Sequence, residues 1–169
     1  ANLCVEAKDK IIGFDIAGPE LSFPPSLFAE SFKKVSESGV NITIHAGEGD
    51  GVSSIIDALN NGAMRIGHGV RIIEDINDGI IGPTASKIID LQIPLEICIT
   101  SNIHTNMYES YEAHPISSLI DYGFNVYLNT DNRLMSNTSI SKEIEIAKNL
   151  GINDVDRLLK YSASDSFFD

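Results

Sequence analysis

The sequence predicts an α/β fold built on a parallel sheet. Three observations predict it. Short apolar runs alternate with stretches whose apolar residues fall at helical spacing, so strands and helices alternate along the chain. A helix follows most of the strands, and helical crossovers join parallel neighbours. Polar residues recur at the ends of the apolar runs: Asp15, His45, His68, Thr100-Ser101-Asn102 and Asn129-Thr130-Asp131. Such recurrence gathers functional side chains on the strand-end face of the fold.

Each element has its own signal. Residues 10–14 form a short apolar run ending at Asp15, followed by a turn rich in Gly18, Pro19, Pro24 and Pro25. Leu27, Phe28, Phe32 and Val35 fall at helical spacing, and Gly39 suits the helix end. The second strand is expected over 41–44. Ile55, Ile56 and Leu59 indicate the next helix, closed by Gly62, and residues 64–66 a short third strand. Pro83 opens a helix carrying Ile88, Ile89 and Leu91. A fourth strand is expected over 94–97, a helix from Pro115 to Gly123, and a fifth strand over 125–128. Two helical stretches, over 144–150 and 155–162, finish the chain.

Residues 1–169 read as one domain with a real core. Two architectures accommodate five βα units. A closed eight-stranded barrel needs about 250 residues, of which five units make about five-eighths. An open doubly wound sheet needs only five strands. The second lacks its glycine-rich dinucleotide turn, because Gly47-Glu48-Gly49-Asp50-Gly51 has neither the spacing nor the helix start.

Composition excludes several partners. Twelve basic and twenty-four acidic residues give a net charge of −12, which repels a nucleic-acid polymer but not a single nucleoside. No apolar run approaches the roughly 20 residues that span a bilayer, so no membrane partner is expected. Cys4 and Cys98 make no disulfide framework, and no signal-peptide pattern opens the sequence, so a cytoplasmic setting is expected. A strand within a dozen residues of Ala1 suggests further chain upstream.

Four strand-end residues suit metal-assisted chemistry. In Ile42-Thr-Ile-His45-Ala-Gly-Glu48 the histidine can bind a metal, and the glutamate can move protons to and from metal-bound water. His68 stands between two glycines as the only side chain of its turn. Asp131 ends a strand of apolar alternation. Alone, each has a bland reading: a hydrogen-bonded core histidine, a solvated glutamate, a loop histidine, a capping aspartate. Their shared place at strand ends favours a metal site. Of the remaining candidates, His104 is expected in a solvated loop and His114 at a helix cap or the surface. Glu96 is expected to partner a buried polar group.

The motifs Asp15-Ile-Ala-Gly18-Pro-Glu20, His45-Ala-Gly-Glu48, Ile66-Gly-His68-Gly69, Glu96-Ile-Cys-Ile-Thr-Ser101-Asn102 and Asn129-Thr-Asp131 resemble, in this order, those of the adenosine deaminases of the amidohydrolase superfamily. The resemblance spans roughly residues 10–140. It implies a zinc-containing parallel (β/α)8 barrel of the TIM type, to which this chain supplies about the last five βα units. It implies hydrolytic deamination of adenosine or 2'-deoxyadenosine with one zinc ion per complete site. His45 and Asp131 become zinc ligands, Glu48 the proton shuttle to purine N1, and His68 the group that orients the attacking hydroxide. The Gly18 N–H holds purine N3, and Asp15 and Asn132 join the substrate-binding set. Two departures stand out. No His-x-His pair occurs among His45, His68, His104 and His114, so half of the expected ligands are absent. Asn132 stands where the family often has a second aspartate. The alternatives are an inactive fragment or purine-binding module, or a related adenine or nucleotide deaminase. A companion amino-terminal segment or a second copy is expected to complete the barrel, covering inward strand faces that carry Ile42, Ile44, Leu95 and Ile97.

Overall fold

A computed structural model describes residues 1–161 and 163–167. Seven strands occur among them: β1 Gly13–Ile16, β2 Asn41–Ala46, β3 Arg65–His68, β4 Ile76–Asn77, β5 Ile80–Ile81, β6 Leu95–Ile97 and β7 Val126–Leu128. Five build one sheet in the order β1-β2-β3-β6-β7, and every pairing in it is parallel. The short β4 and β5 make a separate antiparallel hairpin. Strand order in the main sheet follows the chain and never reverses. A doubly wound sheet reverses direction at its switch point, so consecutive order selects the barrel-type arrangement.

The helices are α1 Asn2–Glu6, α2 Ala29–Glu37, α3 Val52–Asn60, α4 Pro83–Asp90, α5 Ile99–His104, α6 Ile116–Asp121, α7 Ile140–Asn149 and α8 Ala163–Ser166. Several boundaries differ from the sequence reading. The first strand starts at Gly13 because Lys8–Lys10 winds into a 3-10 turn. Asp15 therefore lies within the strand, level with Thr43. The stretch after Ser101, expected as a polar loop, is helix α5. Its amino end is held by Glu143, whose buried carboxylate accepts from Thr100 N at 3.1 Å and from Thr138 Oγ1 at 2.6 Å. Only a distant residue supplies that cap, so nothing local announced the helix. A final helix over 155–162 is replaced by the 3-10 turn Arg157–Leu159, and Ser162 lies outside the described residues.

Strand register sorts the two faces of the sheet. Ile44, Ile66, Leu95 and Val126 stand level across four strands and are all buried. They join Ile42, Ile97 and Leu128 in the core with Phe32 and Val35 of α2 and Ile55 of α3. Ile42, Ile44, Leu95 and Ile97 thus pack on the helix side, not on the inward face expected for them. Side chains alternate along a strand, so residues one position away face the other side. There the level row is His45, Gly67, Glu96 and Tyr127, with Asp15, Thr43 and Arg65 as the neighbouring row.

This second face is polar and internally bonded. Arg65 pairs with Glu96 at 3.2 Å and donates to Thr43 Oγ1 at 3.1 Å. Glu96 is thus tied to a partly buried polar partner, as expected from its place inside a strand. Tyr161 stacks on Tyr127 with ring centroids 3.9 Å apart, and its hydroxyl donates to Glu96 at 3.3 Å. Among the described residues, no helix is long and apolar enough to cross a membrane.

Glu143→Ala leaves the Thr100 N–H buried without its acceptor and unties α7 from α5. An orphaned buried donor costs about 1–3 kcal/mol. Urea unfolding should record a loss of that size, with Glu143→Gln losing less because its amide oxygen still accepts; equal stability of Glu143→Ala and the parent would refute the cap.

Candidate active site

The carboxyl ends of β2 and β3 set the site's geometry. His45 stands beside Gly67 in the neighbouring strand. A Cβ on Gly67 would lie 2.7 Å from His45 Nδ1 and 2.9 Å from its Cγ, so only glycine leaves room for the ring. The loop beyond β2 is clamped by Glu20, whose carboxylate accepts from the N–H groups of Gly47, Glu48 and Asp50 at 2.5, 3.0 and 3.0 Å. Successive amides converging on one carboxylate fix the loop's path, and with it the backbone of Glu48. Glu20 closes the motif Asp15-Ile-Ala-Gly18-Pro-Glu20, but no sequence signal gives it this task.

His68 ends β3 at φ +60°, followed by Gly69 at φ +67°. A left-handed histidine is uncommon and cannot be had for nothing. Here it delivers a buried ring 5.3 Å from that of His45, with Nε2 3.5 Å from Glu48 Oε2. Burial lowers the His68 pKa below the ordinary imidazole value, against the pull of the Glu48 charge. Glu48 Oε1 in turn accepts from Thr105 Oγ1 at 3.2 Å and faces Asn102 Nδ2 at 3.5 Å.

Asp131 also adopts left-handed backbone, at φ +53°, and its Oδ2 accepts from Ser101 Oγ at 2.7 Å. It lines a cavity of about 370 Å³ together with His45, Gly67, His68, Glu96 and Asn129. Asp15 Oδ1 lies 3.1 Å from His45 Nδ1. Burial opposes a charge on His45, but the Asp15 hydrogen bond and the acidic neighbours outweigh it and raise its pKa. A hydrogen bond from Nδ1–H to Asp15 leaves the Nε2 lone pair for a cation, the arrangement usual for metal-binding histidines. An imidazole and a carboxylate on one cavity are donor types that suit zinc. Among the described residues, however, no group of three or more His, Cys, Asp or Glu is placed to hold a metal ion.

The structure therefore brings His45, Glu48, His68, Asp131 and Asp15 together. Gly18, at φ +148°, lines an adjoining cavity of about 140 Å³ that also reaches His45, Glu20, Phe23 and Phe28. Asn132 is not brought in: it is exposed, and its Oδ1 accepts from Leu134 N and Met135 N, capping its own turn. His104 is exposed on α5, whereas His114 is buried: its Nδ1 accepts from Ile116 N at the start of α6, the capping role expected of it, and its burial excludes the surface role. Its Nε2 lies 3.2 Å from Asn102 Oδ1. A histidine before a proline reads locally as a helix start; only packing beneath α5 reveals the Asn102 partner.

The profile of the adenosine deaminase family matches residues 1–169. The chain belongs to that family. It is 44% identical over 151 residues to the adenosine deaminase of Mycobacterium ulcerans, a match covering 85% of this chain and 42% of that protein. With adenosine deaminase 1 of Streptomyces coelicolor it shares 48% identity over 141 residues, covering 80% of this chain and 36% of the relative. The chain thus spans less than half the length of these relatives. Among solved structures, an Arabidopsis N6-mAMP deaminase superposes with a TM-score of 0.82 at 27% identity, over 99% of this chain and 49% of that one. An amidohydrolase from Burkholderia ambifaria, solved with bound Zn, superposes at 0.79 with 22% identity, over 93% and 45%. These neighbours are TIM-barrel deaminases and amidohydrolases, and the five consecutive parallel strands are of that fold type.

Within this adenosine deaminase family site, two outcomes follow from the geometry. Gly67→Ala forces the His45 ring aside. The overpacking should cost about 1–3 kcal/mol in urea unfolding, while an unchanged stability would remove the contact. His114 carries a pH signature. Burial, aided by His68, lowers its pKa from 6.5 to about 4. Between those values the unfolded chain binds the extra proton, so stability is lost as pH falls from 6.5 toward 4, by an amount on the order of 3 kcal/mol. Urea unfolding at pH 7 and pH 4.5 should show His114→Gln losing less stability than the parent; parallel losses would contradict the burial argument.

Proposed function

We propose that this chain is the portion of a purine nucleoside deaminase barrel that carries its proton-transfer groups and part of its zinc site. The reaction is adenosine or 2'-deoxyadenosine plus water to the inosine product plus ammonia. The observation that carries this reading is the convergence of His68 Nε2 on Glu48 Oε2 at 3.5 Å beside His45, with Asp131 on the same cavity. The curated relatives named adenosine deaminase support it.

In this mechanism Glu48 takes a proton from the attacking water and delivers it to purine N1 as oxygen adds to C6. The C6 hydroxyl then gives its remaining proton to the exocyclic nitrogen, the C6–N bond breaks as the C6 carbonyl forms, and ammonia leaves. His68 directs its ring toward the same oxygen and stabilises the charge that develops there. The Gly18 N–H accommodates purine N3, and Asp15 orients His45. His45 and Asp131 would hold zinc, whose Lewis acidity activates water at neutral pH. The Zn-bound Burkholderia neighbour supports that metal. A nucleotide substrate fits less well: Asp15, Glu20, Glu48, Glu96 and Asp131 line or flank the two cavities and repel a phosphate.

The 169 residues act in this reading as one domain of a larger barrel. Among the described residues β1 and β7 each have one strand neighbour, leaving two open sheet edges. Companion strands, from further chain or from a second copy, close them and add the remaining metal ligands. A cytoplasmic setting and a part in purine metabolism belong to the same reading, and Cys4 and Cys98 are both free thiols.

Glu48→Gln in the completed enzyme keeps the shape of the side chain and removes its proton transfer. Turnover of adenosine, assayed as ammonia release, should drop about 10²–10⁴-fold, with zinc content unchanged. Near-normal turnover would eliminate Glu48 from the chemistry. The 169-residue chain alone, with two donors, should retain much less than one zinc after dialysis; a full equivalent would mean that other residues replace the absent histidine pair.

A further inference from the structure

His114 takes no part in the chemistry above, yet it is buried and bonded at both ring nitrogens. The bonds run in one direction only. The backbone N–H of Ile116 can only donate, and it meets His114 Nδ1 at 3.2 Å. Nδ1 is therefore an acceptor, and the proton of the neutral ring sits on Nε2. That proton points to the Asn102 side chain at 3.2 Å, so the atom facing it must be the amide oxygen. The amide nitrogen then faces the opposite way, 3.2 Å from His68 Nδ1 and 3.5 Å from Glu48 Oε1. An amide nitrogen only donates. His68 Nδ1 is thus an acceptor in its turn, and the His68 proton is left on Nε2, the atom 3.5 Å from Glu48 Oε2.

Water has little room to reverse the sequence, since His68, Asn102 and His114 are 2%, 0% and 5% exposed. The other His68 tautomer would set N–H against NH₂ in a buried place, at the cost of an unmet donor on each side. We infer that His114 is a positioning residue that, through the Asn102 amide, holds His68 in the tautomer presenting Nε2–H to Glu48. The inference rests on the proposed reaction only for its consequence; the tautomer is a property of the chain itself. A ring locked this way offers the site a hydrogen-bond donor, the polarity needed to stabilise negative charge growing on the attacking oxygen.

The test reads the tautomer directly. Two-dimensional ¹H–¹⁵N spectra of the histidine rings in the 169-residue chain separate protonated from bare ring nitrogens. His68 should show a protonated Nε2 and a bare Nδ1. His114→Phe keeps a ring for the edge contact with Tyr108, centroids 5.1 Å apart in the parent, but cannot orient the amide. His68 should then populate both tautomers, and His114→Gln, whose amide N–H again reaches Asn102, should restore the single one. Asn102→Asp gives an independent arm should His114→Phe not fold. A carboxylate accepts on both sides, so His68 should move its proton to Nδ1. A parent His68 protonated on Nδ1, or a tautomer unmoved by both His114→Phe and Asn102→Asp, overturns the inference. In the completed enzyme, His114→Phe should lower kcat about 10- to 100-fold with KM changed less than about threefold, and His114→Gln should recover most of it. A switched tautomer with unchanged kcat supports the positioning role and instead removes His68 from the proposed reaction.

Discussion

The pleat of a parallel sheet in consecutive strand order governs everything else in this chain. Because neighbours stand level, one row of four strands, Ile44, Ile66, Leu95 and Val126, buries itself against the helices. The next row, His45, Gly67, Glu96 and Tyr127, must then turn to the opposite side. A slip of one residue in any strand would exchange the two sets. It would put a charge into the core and an isoleucine into the cavity. The aliphatic row thus fixes where the polar row goes, and hydrophobic burial on one face holds the chemistry of the other in place.

At the strand ends the control passes from burial to hydrogen bonding. His68 and Asp131 both sit in left-handed backbone that costs energy, and both are held there by polar partners rather than by packing alone. Asn102 connects three of the groups involved: His68, Glu48 and His114. Glu20 does the equivalent for the loop that carries Glu48. Networks of this kind stabilise one arrangement strongly and tolerate few substitutions, because each buried polar atom depends on the orientation of the next.

The face that carries the cavity is polar over its whole extent, which distinguishes it from the interior of a barrel packed with branched aliphatics. Arg65, Glu96, Thr43 and Tyr161 satisfy one another there. Carboxylates outnumber cations around the two cavities, and that imbalance attracts a cation and repels a phosphate.

The sequence by itself determined the alternation of strands and helices, the parallel sheet, and the strand-end placing of His45, His68 and Asp131. Those signals are local, since apolar runs, helical spacing and the residue that follows a run all lie within a few positions. Motif order carried the family in the same way. Periodicity left a doubly wound sheet open, that motif order implied the barrel, and the consecutive strand order, which no short window contains, bears the barrel out. The tertiary structure alone decided the rest. The face on which Ile42, Ile44, Leu95 and Ile97 pack depended on which side the helices cover. Helix α5 depended on Glu143, more than forty residues downstream of its amino end. Asn132 turned to its own backbone, while His114, which reads as a helix-start residue beside Pro115, also became a buried partner of Asn102. Apart from Asn132, whose partners Leu134 and Met135 are its near neighbours, each of these rests on contacts between residues distant in the chain, and a side chain's role is fixed by the partner that folding brings to it.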